Sequence, residues 1–382
     1  MLNFLKIHKI SILLWLLILV YIVYFSYLSI LRYKTLYASY YDLGIMNQTV
    51  FNTYAALRDG DLSRILELTD PLGPNQIKRM AIHNDLLLAL LSPFYFFYNG
   101  PETLIVIQTI ILALGAWAVF RISEYILAKV KNHSLISLGF SISYLLYPPM
   151  QRANLFDFHA VTLSTAFLLF MFYFWLSKKY IPVIIFFILS IISKEQISLA
   201  IAFFGIYAIY ASGIFKKNKD WKAILISLTL FLISAIWFAL SMLVIIPLFR
   251  GKEHFALAYY NDGSLSKYIF NTGTFNYLFL LLGPLGFLSL FSPLQLLIAT
   301  PEMAINLLSS NSNMRNVIYH YTSVIQPFIF VSAIYGIKNI NHKLSTFFGK
   351  FVANKNIPLL LAVYILVFSL IFQYYKGPLP FM

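Results

Sequence analysis

Long apolar runs, separated by short polar or basic segments, recur along nearly the whole chain, and each is close to the ~20 residues that cross the hydrocarbon core of a bilayer. The pattern predicts an all-α polytopic membrane protein with about eleven transmembrane helices. They fall at 10–31, 102–121, 134–148, 160–177, 180–193, 196–214, 222–249, 276–291, 293–308, 321–337 and 357–374. The first run follows Lys6 and Lys9 as a signal peptide would, but it is long and lacks a small-residue cleavage site, so it reads as a retained span. Pro284 and Pro293 interrupt the 276–308 stretch, which is expected to be broken or re-entrant.

Basic residues give the orientation. Lys129/Lys131, Lys178/Lys179, Lys216/Lys217/Lys219/Lys222 and Lys338/Lys343/Lys350 occupy inter-span loops of the kind that stays cytoplasmic. With Lys6 and Lys9 on the same side, the N-terminus is expected in the cytoplasm and the C-terminus outside, in a multi-pass protein for which the absence of organelle signals favours a plasma membrane. Leu86 to Tyr98 is apolar but only 13 residues long. Counting it as a span would move every later Lys cluster outside, so it reads as a helix lying in the outer interface.

Residues 32–101 then form a large first extracytoplasmic loop with juxtamembrane helices. A second interfacial helix is expected over Tyr41 to Tyr54: Leu43, Met46, Val50, Phe51 and Tyr54 share one face, and Asp42, Gln48, Thr49, Asn52 and Thr53 the other. Ile45 and Asn47 break the pattern. The polar face leaves Asp42 and Gln48 towards a cavity, while Asp59 to Arg79, with Pro71, Gly73 and Pro74, reads as a mobile polar loop.

Composition narrows the class. Of 382 residues 60% are hydrophobic and 11% charged, and no segment has the composition of a soluble domain, so 1–382 reads as a single transmembrane domain. A net charge of +14 would suit nucleic acid, but the excess Lys lies in the inter-span loops and no soluble basic surface exists, so no nucleic-acid partner is expected. The absence of cysteine removes disulfides, thiol catalysis and thiolate metal sites. Walker, His-Glu-x-x-His, Gly-x-Ser-x-Gly and Rossmann signatures are missing, which leaves ATP-driven transport, zinc proteolysis and serine hydrolysis without support. Asn47-Gln48-Thr49 has the form of a glycosylation sequon but lies against the membrane and is discounted.

The expected topology sorts the polar groups. Asp42, His83, Asp85, Asn154, Asp157, His159, Lys194, Glu195, Arg250, Glu253, His254, Asp262, Arg315 and His320 fall outside; the inner side carries mainly Lys, with Glu124, Asp220, His8, His133 and His342. Acids, bases and anion-binding cations converging on one face are the raw material of an active site. Tyr41-Asp42-Leu43-Gly44 puts a carboxylate beside the membrane, where it can act as general base, hold a metal, or simply cap a helix. In Asn154-Leu155-Phe156-Asp157-Phe158-His159 an Asp and a His two residues apart suit a shared metal, a shared proton, or capping of the next helix. Ser193-Lys194-Glu195-Gln196 splits an apolar stretch, either as a charge pair in a cavity or as the tip of a helical hairpin. Tyr319-His320-Tyr321 stands before a span, and Arg250, Lys252 and His254 follow one, placed to grip an anionic headgroup.

In this order, Tyr-Asp-Leu-Gly-x-x-Asn-Gln after the first span, His83, Asn-Leu-Phe-Asp-Phe-His, Lys-Glu and Tyr-His-Tyr, the chain resembles an uncharacterised prokaryotic family of polytopic membrane proteins over Tyr41 to Lys338. That family is similar to the GT-C superfamily of integral membrane glycosyltransferases. The resemblance implies a GT-C-like fold, a polyprenyl-phosphate-linked sugar donor, usually inversion, and an acid in the first outer loop, a role that falls to Asp42. The chain departs from the pattern in lacking an acidic pair around Asp42, in having Gln196 where a second acid is expected, and in lacking a soluble C-terminal domain.

The leading expectation is therefore a membrane glycosyltransferase acting at the outer face on a polyprenyl-phosphate sugar and an unknown acceptor. Asp42 is the catalytic residue, and Gln48, His83, Asp157, His159, Lys194, Glu195, Arg250 and His320 bind substrate. A divalent cation, Mg or Mn, is the one cofactor to consider, with Asp42, Asp157 and His159 as candidate ligands. A lipid or solute transporter or flippase is the competing class, suited by the broken 276–308 stretch and by Lys194/Glu195. A non-catalytic scaffold fits if Asp42, His83, Asp157, His159 and Glu195 lie more than about 15 Å apart.

Overall fold

A computed structural model describes residues 2–38, 41–260, 271–348 and 357–378, so Asp262 and Lys350 lie outside the described residues. The helices are α1 (Leu2–Lys34), α2 (Tyr41–Asp59), α3 (Leu87–Leu91), α4 (Pro101–Ile126), α5 (His133–Leu145), α6 (Pro148–Phe156), α7 (Ala160–Leu176) and α8 (Tyr180–Ile191). There follow α9 (Ile197–Ala211), α10 (Trp221–Leu240), α11 (Ile246–Arg250), α12 (Thr272–Leu282), α13 (Pro293–Leu296), α14 (Thr300–Leu308), α15 (Gln326–Phe348) and α16 (Ile357–Lys376).

Four helical rods are long and apolar enough to cross a bilayer: Lys9–Lys34 of α1, α4, the continuous Trp221–Arg250 of α10 and α11, and α16. The apolar helices α7, α8 and α9 have 17, 12 and 15 residues. At 1.5 Å per residue they reach about 18 to 26 Å, short of a ~30 Å hydrocarbon core. The 276–308 stretch is broken, as its prolines suggested: 3-10 turns at Gly283–Leu285, Leu288–Phe291 and Leu297–Ala299 separate α12, α13 and α14. Leu86 to Tyr98 forms α3 and a 3-10 turn, Ser92–Phe96, too short to span.

Which rods face outward follows from burial. Only 28%, 22% and 33% of the apolar windows of α1, α10–α11 and α16 are buried, against 61% for α4, so α4 is the central post and the others are peripheral. Ile12, Leu16, Leu19 and Val23 on α1, and Leu225, Leu232, Ile236 and Leu243 on the α10 rod, form exposed apolar surface of the kind that meets lipid. Lipid is as apolar as these side chains, so polar contacts and close packing hold such helices together. Gly205 permits one close approach: a Cβ there would sit 2.8 Å from Phe231 Cβ and 2.9 Å from the Ser227 carbonyl. Hydroxyls tie the centre, Thr165 donating to the Ser323 carbonyl at 2.8 Å and Tyr147 to that of Leu281 at 2.6 Å.

α7, α9 and α10 each run between two distinct polar ends. One end holds His159, Lys194 and Arg250; the other holds Lys178, Lys216 and Asp220, with Lys178 Nζ 2.6 Å from Asp220.

The segment expected to be a mobile loop, Asp59 to Arg79, is instead structured. Strands β1 (Glu67–Thr69) and β2 (Gln76–Lys78) pair antiparallel, with Leu68 opposite Ile77. The polar face of α2 clasps this hairpin: Gln48 donates to Thr69 Oγ1 at 2.9 Å and accepts from Thr69 N at 3.2 Å, Asn52 donates to the Glu67 carbonyl at 2.9 Å, and Leu66 N donates to Thr53 Oγ1 at 2.9 Å. Amide and hydroxyl side chains satisfy strand groups that a turn-rich sequence does not reveal. On the apolar face Leu43, Met46, Val50 and Tyr54 are buried and Phe51 packs half-buried against the same cluster, while Thr49 and Thr53 of the expected polar face are buried as well. The two exceptions have local causes: Asn47 accepts from Tyr95 Oη at 2.7 Å, and Ile45 lines a cavity.

Candidate active site

A cavity of about 750 Å³ opens at one end of the bundle, the size of a pocket for a sugar-sized or larger ligand. Asp42, His83, His159, Lys194, Arg250 and His320 all line it, brought from α2, the segment before α3, the start of α7, the α8–α9 turn, α11 and the segment before α15. Six separate places in the sequence thus contribute to one cavity. Arg79, Asp85, Lys252, His254, Tyr259 and Tyr321 complete much of the polar wall.

Asp42 sits in the first turn of α2, not before it, so it is no N-cap, and the helix dipole favours its negative charge. Its Oδ2 lies 3.5 Å from His159 Nε2, a charge contact longer than a good hydrogen bond, and its side chain keeps 39% of its exposure. Burial pushes this carboxyl up, but His159, Lys194 and Arg79 together outweigh it and hold Asp42 below the usual Asp value.

His159 is positioned by α4. The Gln108 amide donates to the carbonyls of Asn154 at 3.3 Å and Asp157 at 3.1 Å, while its oxygen accepts from His159 N at 3.0 Å. One side chain thus clamps the whole Asn154–His159 turn, and His159 makes no side-chain cap bond to α7. The ring of His320 stacks on that of His159 at 3.8 Å. Burial, helped by the nearby His159 and Lys194, holds His320 well below the usual His value, so it is neutral at pH 7. Gln108→Leu removes partners from three buried backbone groups, each worth about 1–3 kcal/mol when stranded. We expect a lower denaturation midpoint for the detergent-solubilised variant; an unchanged midpoint would remove the clamp.

Glu195 lies just behind the cavity wall. Its Oε1 is 2.8 Å from His83 Nδ1 and 3.4 Å from His254 Nε2, and its Oε2 accepts from Asn84 N at 2.9 Å. Burial opposes ionisation, but His83, His254 and Lys194 hold Glu195 well below the usual Glu value. Burial, then Lys194, pushes His83 down to about 3 against the pull of Glu195. These three side chains place one ligand atom each within 4.8 Å of one another, the metal-competent cluster among the described residues. The sequence-based candidates Asp42, Asp157 and His159 form no such group.

Besides Glu195, two expected site residues, Gln48 and Asp157, do not line the cavity. The amide of Gln48 is engaged with the hairpin on both its nitrogen and its oxygen, so its role is structural. Asp157 contributes its backbone carbonyl to the Gln108 clamp and lies outside the lining.

Several residues escaped sequence reasoning. Arg79 donates to both carboxylate oxygens of Asp85, from Nε at 2.8 and 3.0 Å and from Nη2 at 2.8 Å, with each side chain 3% exposed. Asn84 donates to Ser241 Oγ at 2.8 Å in a π-turn, Ser241–Ile245, placed where Pro247 cannot supply the N–H that an α-helix would direct at Leu243. Glu302 accepts from Gln196 Nε2 at 2.6 Å, so an acid stands beside Gln196, the position where a second one was expected. A lone carboxylate inside a stretch read as a span was the available signal for Glu302.

No curated protein matches this chain. The chain belongs to the family described as Predicted membrane protein (DUF2079), whose model matches residues 32–380.

Proposed function

We propose that this protein is a GT-C-like membrane glycosyltransferase of about eleven crossings. In this reading it sits in a prokaryotic plasma membrane with its N-terminus in the cytoplasm, and transfers a sugar from a polyprenyl-phosphate-linked donor at the extracytoplasmic face. The observation that carries the reading is the convergence of an accessible carboxylate at the start of α2, Asp42, with Lys194 and Arg250 in a single cavity of about 750 Å³ at one end of an apolar bundle. A lipid-phosphate sugar needs that combination: cations for the phosphate, a base for the acceptor, and adjoining lipid for the polyprenyl tail.

The chemistry follows. The acceptor hydroxyl gives its proton to Asp42 as its oxygen bonds to the anomeric carbon. The bond from that carbon to the phosphate oxygen breaks, and polyprenyl phosphate leaves with the electron pair. Lys194 and Arg250 stabilise the charge growing on the leaving phosphate. His159 and His320 orient the sugar, and the activated donor supplies the free energy, so no nucleotide is required. The broken α12–α14 stretch is the feature that favours the transporter alternative.

Phosphate recognition is tested by binding. Wild-type protein in nanodiscs should prefer polyprenyl phosphate to neutral polyprenol. Lys194→Gln should weaken polyprenyl phosphate binding by about 10- to 100-fold, the value of one charge-assisted hydrogen bond. Equal affinity for both lipids, or an unaffected Lys194→Gln variant, would remove the phosphate from this cavity.

A further inference from the structure

We infer that His83, Glu195 and His254 form a binding site for a divalent transition metal of the zinc class, separate from the Asp42 carboxylate. His83 Nδ1 and Glu195 Oε1 are 2.8 Å apart, and His254 Nε2 is 3.4 Å from each. Those sides define a triangle with a circumradius of about 1.9 Å, so a point about 2.05 Å from all three atoms lies about 0.8 Å out of their plane. Zinc bonds imidazole nitrogen at about 2.0–2.1 Å and carboxylate oxygen at about 2.0–2.2 Å, and in a tetrahedral site it lies out of the plane of any three ligands. Two histidines and one carboxylate are also a recurrent donor set of zinc sites that keep one position open.

The surroundings fit a held ion. Glu195 and His254 are each 3% exposed, and Asn84 N fixes the second carboxylate oxygen at 2.9 Å, the kind of outer contact that orients a ligand. His83 and His254 line the cavity while Glu195 lies behind it, which leaves the cavity side of the triangle open to water or an anionic oxygen. Lys194 and Arg250 on the same wall suit that anion. One contact must yield: Ala256 N donates to His254 Nδ1 at 3.0 Å, and a neutral imidazole ligating through Nε2 carries its proton on Nδ1. Metal loading is therefore expected to move the 254–256 turn.

Metal binding is read without turnover, so this inference and the transferase reading fail separately. Purified full-length protein, stripped with chelator and dialysed against Zn²⁺, should retain one ion per chain by elemental analysis. His254→Ala and Glu195→Gln should weaken Zn²⁺ binding by at least about 100-fold, the upper range for outer-shell changes alone, since each removes a ligand. His133→Ala, at the Glu124 contact, should bind as wild type. In wild-type protein, Co²⁺ should give the intense visible bands of a four-coordinate site, a readout that does not depend on the variants folding. A wild-type stoichiometry near zero, only weak six-coordinate Co²⁺ bands, or binding that survives Glu195→Gln but is lost in His159→Ala would overturn the site.

Discussion

Asp42→Asn is expected to slow sugar transfer by at least about 100-fold while changing donor affinity by less than a few fold, since a positioned general base contributes about 10²- to 10⁴-fold. The substitution keeps the shape of the side chain and removes its charge and basicity. Asp42 lies at the start of α2, and its one ion-pair contact, to His159, is 3.5 Å long, so the fold depends little on it. In the free protein Lys194 and Arg79 help to keep this carboxyl below the usual Asp value, which makes it a weak base. Donor binding changes that balance: a phosphate on Lys194 offsets its positive charge, and the carboxyl becomes a better proton acceptor when the acceptor must be activated. Single-turnover rates and donor affinities measured on the same preparations separate the two effects. An unchanged rate takes Asp42 out of the mechanism, and a parallel loss of affinity makes it a binding residue only.

The second large effect is on stability. Asp85→Ala is expected to destabilise the protein by about 3–5 kcal/mol, because it leaves the Arg79 guanidinium buried without its counter-charge. Both side chains are 3% exposed and joined by a bidentate contact, and Arg250 Nη1 donates to the nearby Ala81 carbonyl at 3.4 Å, so the pair anchors the segment that presents His83. Replacing both partners by leucine should recover much of the loss, since apolar replacement of a buried pair is often close to neutral. The exposed Arg58–Asp59 pair provides the contrast: Asp59→Asn should leave the denaturation midpoint unchanged. A midpoint for Asp85→Ala within error of wild type would mean that water reaches Arg79.

Much of the frame is legible in the residues because a bilayer permits few solutions. Apolar runs had to become helices, Pro284 and Pro293 had to break one of them, and Leu87 to Phe96 was too short to span. Six of the expected residues line one cavity; loop position and charge pointed to them, since an ionisable group among apolar neighbours must face a cavity or a partner, and the family resemblance singled out Asp42 and His83. The failures share a cause. Gln48 was placed on the correct helix face, but a helical wheel cannot tell a cavity from a hairpin packed on that face. The hairpin itself has three-residue strands, below any periodicity a sequence can display. Gln108 lies within a span and clamps a turn 46 to 51 positions away, and His254 meets Glu195 only because α10 and α11 return the chain to the cavity end. Such contacts are set by tertiary geometry, and neither residue type nor spacing announces them.

The most direct test of the account reconstitutes wild-type protein in proteoliposomes with a polyprenyl-phosphate sugar and envelope lipid or glycan acceptors, and follows the donor. Release of free polyprenyl phosphate with appearance of glycosylated acceptor, lost in Asp42→Asn, is the predicted result. Intact donor moved across the bilayer with no polyprenyl phosphate released would contradict it and make the cavity a transport site.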